Sequence, residues 1–158
     1  MASEVSNKGR RGRLSAYAPV FLWVAVIFYL SSDSGSMNET SRFLRPFVLF
    51  FFPDISEASL QIIHGLVRKS AHVVEYAVLA LLVLRAMWTS HFDVLRRYKF
   101  VIPILFVIAI ASIDEINQSF SSARTGTYQD VLLDTAGGTT AVLAVWLWTR
   151  YRRGNNSA

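Results

Sequence analysis

The chain has no cysteine and little charge. Without thiols, a disulfide-stapled secreted scaffold is excluded, and so is a thiol nucleophile. Charged residues make up 17% of the 158 positions, against roughly 25% in a soluble domain. That scarcity disfavours a soluble nucleic-acid binder, which spreads charge over its fold. No serine sits in a nucleophile elbow, and no glycine-rich phosphate loop is present. Internal repeats and low-complexity stretches are also missing. What the chain does have is apolar mass. Residues of the AVILMFWYC set make up 53% and aromatics 13%, which excludes disorder. The length fits one domain. A small integral membrane protein is the class left standing.

Four apolar stretches approach the ~20 residues a helix needs to cross about 30 Å of hydrocarbon. They cover residues 16–31, 71–88, 100–118 and 131–149. The fold expected is all-α: a bundle of four transmembrane helices. A cleaved signal peptide is the competing reading of the N-terminus, with small residues at Ser34, Gly35 and Ser36. The length of the first run and its bulky Trp23, Phe28 and Tyr29 favour a retained span.

Orientation follows from basic residues near span ends. Lys8, Arg10, Arg11 and Arg13 precede the first span, in a basic tail over residues 1–14. Arg96, Arg97 and Lys99 follow the second. Arg150, Arg152 and Arg153 follow the fourth, in a tail over 150–158. Four spans place these segments on one side, which the positive-inside rule makes the cytoplasm. Arg85 can snorkel to that side. The inner side then holds eleven basic residues against Glu4 and Asp93, a balance of +9. The outer side holds five basic residues against nine acids, a balance of −4, and the two reproduce the net +5. Both termini are expected inside.

The longest connection, residues 33–70, is an outer loop. Its apolar run from Phe43 to Phe52 is too short to span, and Pro46 and Pro53 bound a six-residue core. An interfacial or re-entrant helical segment is expected there. Ser56 is a candidate N-cap for a helix with Leu60, Ile63 and Val67 on one face, expected to lie flat on the surface and feed into span two.

Ionisable residues inside spans are costly, at least ~2.5 kcal/mol each at the bilayer centre. Lys69, His72 and Tyr76 share one stripe of span two, with Glu75 beside them. Asp114 and Gln118 are one turn apart in span three, with Glu115 adjacent. Asp130 and Asp134 are one turn apart in span four, and Gly137, Gly138 and Ala141 continue that face. The derived topology puts all these polar groups in the outer leaflet, with Arg124 in the short loop above. Each has a plain structural role available. Asp130 can cap span four, Glu75 can pair with Lys69 or Arg124, and the small residues suit helix packing. Together they outline one polar site. The candidate binding set is Lys69, His72, Glu75, Tyr76, Asp114, Glu115, Gln118, Arg124, Asp130 and Asp134. The candidate catalytic groups are His72, Glu75 and Asp114. The spacing of His and carboxylates is not a metal signature, and no cofactor is expected.

The run from Lys69 through His72 and Glu75 to Tyr76 resembles the VanZ-like family. So does Asp114-Glu115-Ile116-Asn117-Gln118-Ser119-Phe120, followed by Arg124, Asp130, Asp134, Gly137 and Gly138. The Tyr29-Leu30-Ser31-Ser32 end of the first span fits the same pattern. The resemblance implies a small bacterial multi-pass protein of the cytoplasmic membrane. It also implies a link to resistance against the glycopeptide teicoplanin, and the same polar residues as the family's set. Three functions stay open. The first is engagement of a cell-envelope component such as an envelope lipid, a cell-wall precursor or a glycopeptide. The second is an intramembrane enzyme using His and carboxylate acid–base chemistry on a lipid-linked or anionic substrate. The third, a proton-coupled carrier, ranks last because the inner halves of the spans are apolar. The bilayer is the expected partner, and nucleic acid is not.

Overall fold

The computed structural model describes residues 2–32, 37–120 and 127–155, and these are all helix and connecting turns, with no strand among them. The helices are α1 (Ala2–Leu30), α2 (Met37–Phe51), α3 (Glu57–Trp88), α4 (Asp93–Arg97), α5 (Ile102–Ser119) and α6 (Tyr128–Asn155). Three of them, α3, α5 and α6, are long and apolar enough to cross a membrane. The apolar part of α1, Ala16–Leu30, is shorter.

Local chemistry sets the helix ends. Ser56 caps α3 in an extended conformation, and its Oγ accepts from the Ser59 N–H at 3.2 Å. Glu57 in the first turn and Arg85 in the last complement the helix dipole. Pro103 sits in the first turn of α5, where its missing N–H costs nothing. α1 runs unbroken from Ala2, so the basic N-terminal stretch is helical and continuous with the apolar part.

Two features differ from the sequence reading. The helix expected to lie flat on the surface after Ser56 and feed into span two is not a distinct segment from that span. Both belong to α3, 32 residues long. No proline falls between Pro53 and Pro103, and Gly65 costs a helix only about 1 kcal/mol. The second difference is at Pro46, which lies inside α2 instead of bounding it. Phe47, Phe50, Phe51 and Phe52 are exposed there. The rings of Phe47 and Phe50 each meet Phe51 edge-on at 5.2 Å.

α3 is the central helix. It packs against α1, α5 and α6, α5 also packs against α6, and α2 rests on α3. The core is built from Ile27 of α1, Leu79, Ala80 and Val83 of α3, Val107 and Ala111 of α5, and Val142 of α6. Gly137 and Gly138 make the α6 crossing close. A Cβ on Gly137 would lie 2.6 Å from the Val73 carbonyl oxygen, and one on Gly138 would lie 3.0 Å from Val107 Cγ2. Ala141, one turn on, is half-buried. Outside this core the helices expose large apolar side chains such as Phe21, Leu105, Leu132, Leu143 and Leu147. So much exposed apolar surface suits lipid, not water.

Candidate functional site

Where α5 ends and α6 begins, α3, α5 and α6 surround a cavity of about 210 Å³. One wall comes from α3: Gly65, Arg68, Lys69 and His72. Their spacing of three and four residues puts them on one helix face. The facing wall is Glu115 of α5 with Asp130, Leu133 and Asp134 of α6, and Thr127 and Gln129 complete the rim. The walls therefore differ in sign. Basic groups and a histidine stand on one helix, and three carboxylates stand on the other two.

Asp134 is fully buried. Its Oδ2 lies 3.6 Å from His72 Nδ1, and neither of its oxygens accepts a hydrogen bond. The His72 side chain is 12% exposed. A buried carboxylate thus stands directly behind a ring that faces the cavity. A charged group taken from water normally needs such a partner, and here the contact is longer than a hydrogen bond.

Glu115 is held by the chain itself. It accepts the Thr127 backbone N–H at 2.8 Å, which ties the end of α5 to the start of α6. Thr127 also caps α6: its Oγ1 accepts from the Asp130 N–H at 3.3 Å and donates to Asp130 Oδ2 at 2.9 Å. The capping role considered for Asp130 therefore belongs to Thr127, and Asp130 sits three residues further, in the first turn. This is most of a capping box, with the threonine N–H diverted to Glu115.

A second polar cluster lies beside the cavity. Asp114 Oδ2 accepts from Ser31 Oγ at 2.7 Å, from Gln118 Nε2 at 2.9 Å and from the Tyr76 hydroxyl at 3.4 Å. Gln118 Oε1 accepts from Arg68 at 3.2 Å. Tyr76, Asp114 and Gln118 are fully buried. This knot joins the end of α1 to α3 and α5, and Arg68 belongs to both knot and cavity. Farther down, Trp23 Nε1 donates to the Glu75 carbonyl at 2.9 Å, a further tie between α1 and α3.

The sequence candidates therefore separate. Lys69, His72, Glu115, Asp130 and Asp134 line the cavity. Tyr76, Asp114 and Gln118 form the knot. Glu75 is half-buried and does not line the cavity. Arg124 lies outside the described residues. Among the described residues, no three His or carboxylate side chains are grouped to hold a metal. Sequence reasoning missed Arg68, Ser31, Thr127 and Gln129 as site members. Arg68 is one turn before His72 on the same face, and Thr127 precedes Asp130 by three, so both carried a signal. Ser31 carried one only through the Tyr29-Leu30-Ser31-Ser32 pattern at the end of the first span, and Gln129 carried none.

Such a set can hold a charged group between walls of opposite sign, or pass a proton through the His72–Asp134 pair. The apolar exterior, the long helices and the polar cavity define a multi-pass membrane protein. Over residues 16–149 the chain matches VanZ/LLP1 and belongs to that family. No curated protein and no solved structure shows a significant match.

Proposed function

We propose that the chain crosses the bacterial cytoplasmic membrane four times, with both termini inside, and that its cavity opens in the outer leaflet to engage the headgroup of an envelope lipid or lipid-linked cell-wall precursor. The observation that carries this reading is the cavity itself, with Arg68 and Lys69 facing Asp134, whose buried oxygens lack hydrogen bonds. Its size argues for a headgroup. At about 210 Å³ it falls below the ~300 Å³ at which drug-sized pockets begin. A whole glycopeptide does not fit, so lowered glycopeptide susceptibility would follow from lipid or precursor engagement.

Depth supports the outward placement. Lys99 Nζ sits 4.5 Å from the Trp88 ring, and Arg150 and Arg152 sit over Trp146 and Trp148 at 5.1 and 5.0 Å. Such aromatic and basic pairs suit a membrane boundary. Counting about 1.5 Å per residue upward from Trp88 puts His72 about 24 Å into a layer of about 30 Å. On the same count Val67 reaches the outer boundary at about 32 Å, and the first turns of α3 project beyond it, where α2 packs alongside. The apolar part of α1 is about 22 Å long on the same count, and its basic N-terminal extension reaches the inner boundary.

An enzyme is the second reading, favoured by the His72–Asp134 pair. A buried carboxylate behind an accessible histidine orients the ring and stabilises its protonated form. In this reading His72 transfers the proton and Asp134 positions it. Glu75 and Asp114 stand outside the cavity, with Asp114 already accepting from three donors.

Deletion in the native host, followed by lipid, cell-wall and glycopeptide-sensitivity profiling, tests the function. Complementation with His72→Ala separates the roles. A lost phenotype at normal membrane abundance supports a site. Loss of abundance makes His72 a packing residue. Turnover of an envelope lipid by the purified protein selects the enzyme.

A further inference from the structure

The cavity walls carry opposite charges, yet they do not close on each other. Arg68 and Lys69 stand on α3, and Glu115, Asp130 and Asp134 stand on α5 and α6. Among these side chains and His72, only His72 and Asp134 come within 4 Å as an opposite pair. Neither Arg68 nor Lys69 forms an ion pair with a described carboxylate. Counterions that served only each other would have collapsed into contact. Instead, a cavity of about 210 Å³ separates them.

We infer that the cavity takes a zwitterion: a phosphate joined by a short linker to a primary ammonium, as in a phosphoethanolamine headgroup. This rests on the headgroup reading above and names its ligand class. The α3 wall takes the phosphate. The guanidinium of Arg68 spends one N–H on Gln118 and keeps the remaining donors of its fork. Lys69 adds a second cation one residue away. The opposite wall takes the ammonium. Carboxylates only accept. Asp134, fully buried behind His72, adds negative charge to this wall without its oxygens reaching the cavity space. Asp130 and Glu115 each accept one hydrogen bond, from Thr127, and have lone pairs left. A primary ammonium brings three N–H donors to this wall. A quaternary ammonium brings none, and an anionic headgroup leaves the carboxylates uncompensated.

The test uses the purified full-length chain in detergent, titrated in native mass spectrometry. The ligands are phosphatidylethanolamine, phosphatidylcholine and phosphatidylglycerol with identical acyl chains, and soluble phosphoethanolamine. Phosphatidylethanolamine is expected to bind about tenfold tighter than the other two lipids, the scale of hydrogen bonds to charged groups. Lys69→Gln should weaken all three lipids. Asp134→Asn should erase the preference while leaving phosphatidylglycerol binding in place. Should that variant fail to fold, Asp130→Asn, at a half-buried position, should narrow the same preference. Soluble phosphoethanolamine binding as tightly as the lipid would support the zwitterion and identify a solute as its source. Phosphatidylglycerol binding as well as phosphatidylethanolamine would overturn the zwitterion and leave the headgroup reading intact. No saturable binding of any lipid would overturn both.

Discussion

The same three helices behave differently at their two ends. Along Leu79, Ala80 and Val83 of α3, Val107 and Ala111 of α5, and Val142 of α6, side chains are apolar and the helices close with almost no exposed surface. One to three turns away, past Gly137 and Gly138, they separate around a polar cavity. The glycines mark the level between the two regimes, because there the backbone of α6 reaches Val73 and Val107 directly. Interdigitated apolar packing needs no partner beyond itself. A cavity with opposed charges holds groups that the fold leaves incompletely paired, which is costly unless it serves a ligand. The apolar half is thus the fixed base against which the polar half is positioned.

The largest effect is expected at the boundary. Gly137→Val would set a side chain 2.6 Å from the Val73 carbonyl oxygen, and neither backbone can yield easily. Overpacking of about 3 kcal/mol should lower the thermal stability of the purified protein sharply and reduce its membrane abundance. If stability is unchanged, the close crossing is not what fixes the two ends.

Next come the cavity groups, which should affect function more than folding. Lys69→Gln is expected to weaken headgroup binding about tenfold with near-normal thermal stability, since its exposed side chain pairs with no described carboxylate. A loss of folding equal to that of Gly137→Val would erase the contrast between the two ends.

The knot should give an intermediate result. Ser31→Ala removes the shortest of the three hydrogen bonds to Asp114, a buried charge-assisted contact worth about 1.5–3 kcal/mol. A downward shift of the melting temperature is expected. Faster hydrogen exchange should appear at the end of α1 and not along α5 or α6.

The smallest effect belongs to the exposed Arg45–Glu57 pair, which joins α2 to the start of α3. An exposed pair contributes about 0–1 kcal/mol, so Glu57→Gln should leave thermal stability and binding nearly unchanged.

The apolar runs made α5, α6 and the lower part of α3 legible, because about 18 consecutive apolar residues need no tertiary information. The Ser56 cap was legible from residue type. The continuity of α3 was obscured by Gly65, Arg68, Lys69 and Ser70, a polar patch that reads as loop and in fact lines a cavity. A helical segment between the first two spans was expected, but its extent was not, because Pro46 reads as a boundary and in fact lies inside α2. Within the site, helical spacing gave which residues share a face, and so grouped Lys69 with His72 and Asp130 with Asp134. It could not say which neighbour fills that face. The His72–Asp134 contact spans 62 positions, and the assignment of Asp114 to the knot depends on Ser31, 83 positions away.

The central claim is that the polar end faces outward, and a chain without cysteine allows a direct measurement. Gln129→Cys at the cavity rim and Arg152→Cys near the end of α6 can be labelled separately in intact cells with a membrane-impermeant thiol reagent. The account predicts labelling of Gln129→Cys from outside and of Arg152→Cys only after the cells are opened. Labelling of Gln129→Cys only in opened cells would place the cavity on the cytoplasmic side and contradict the account.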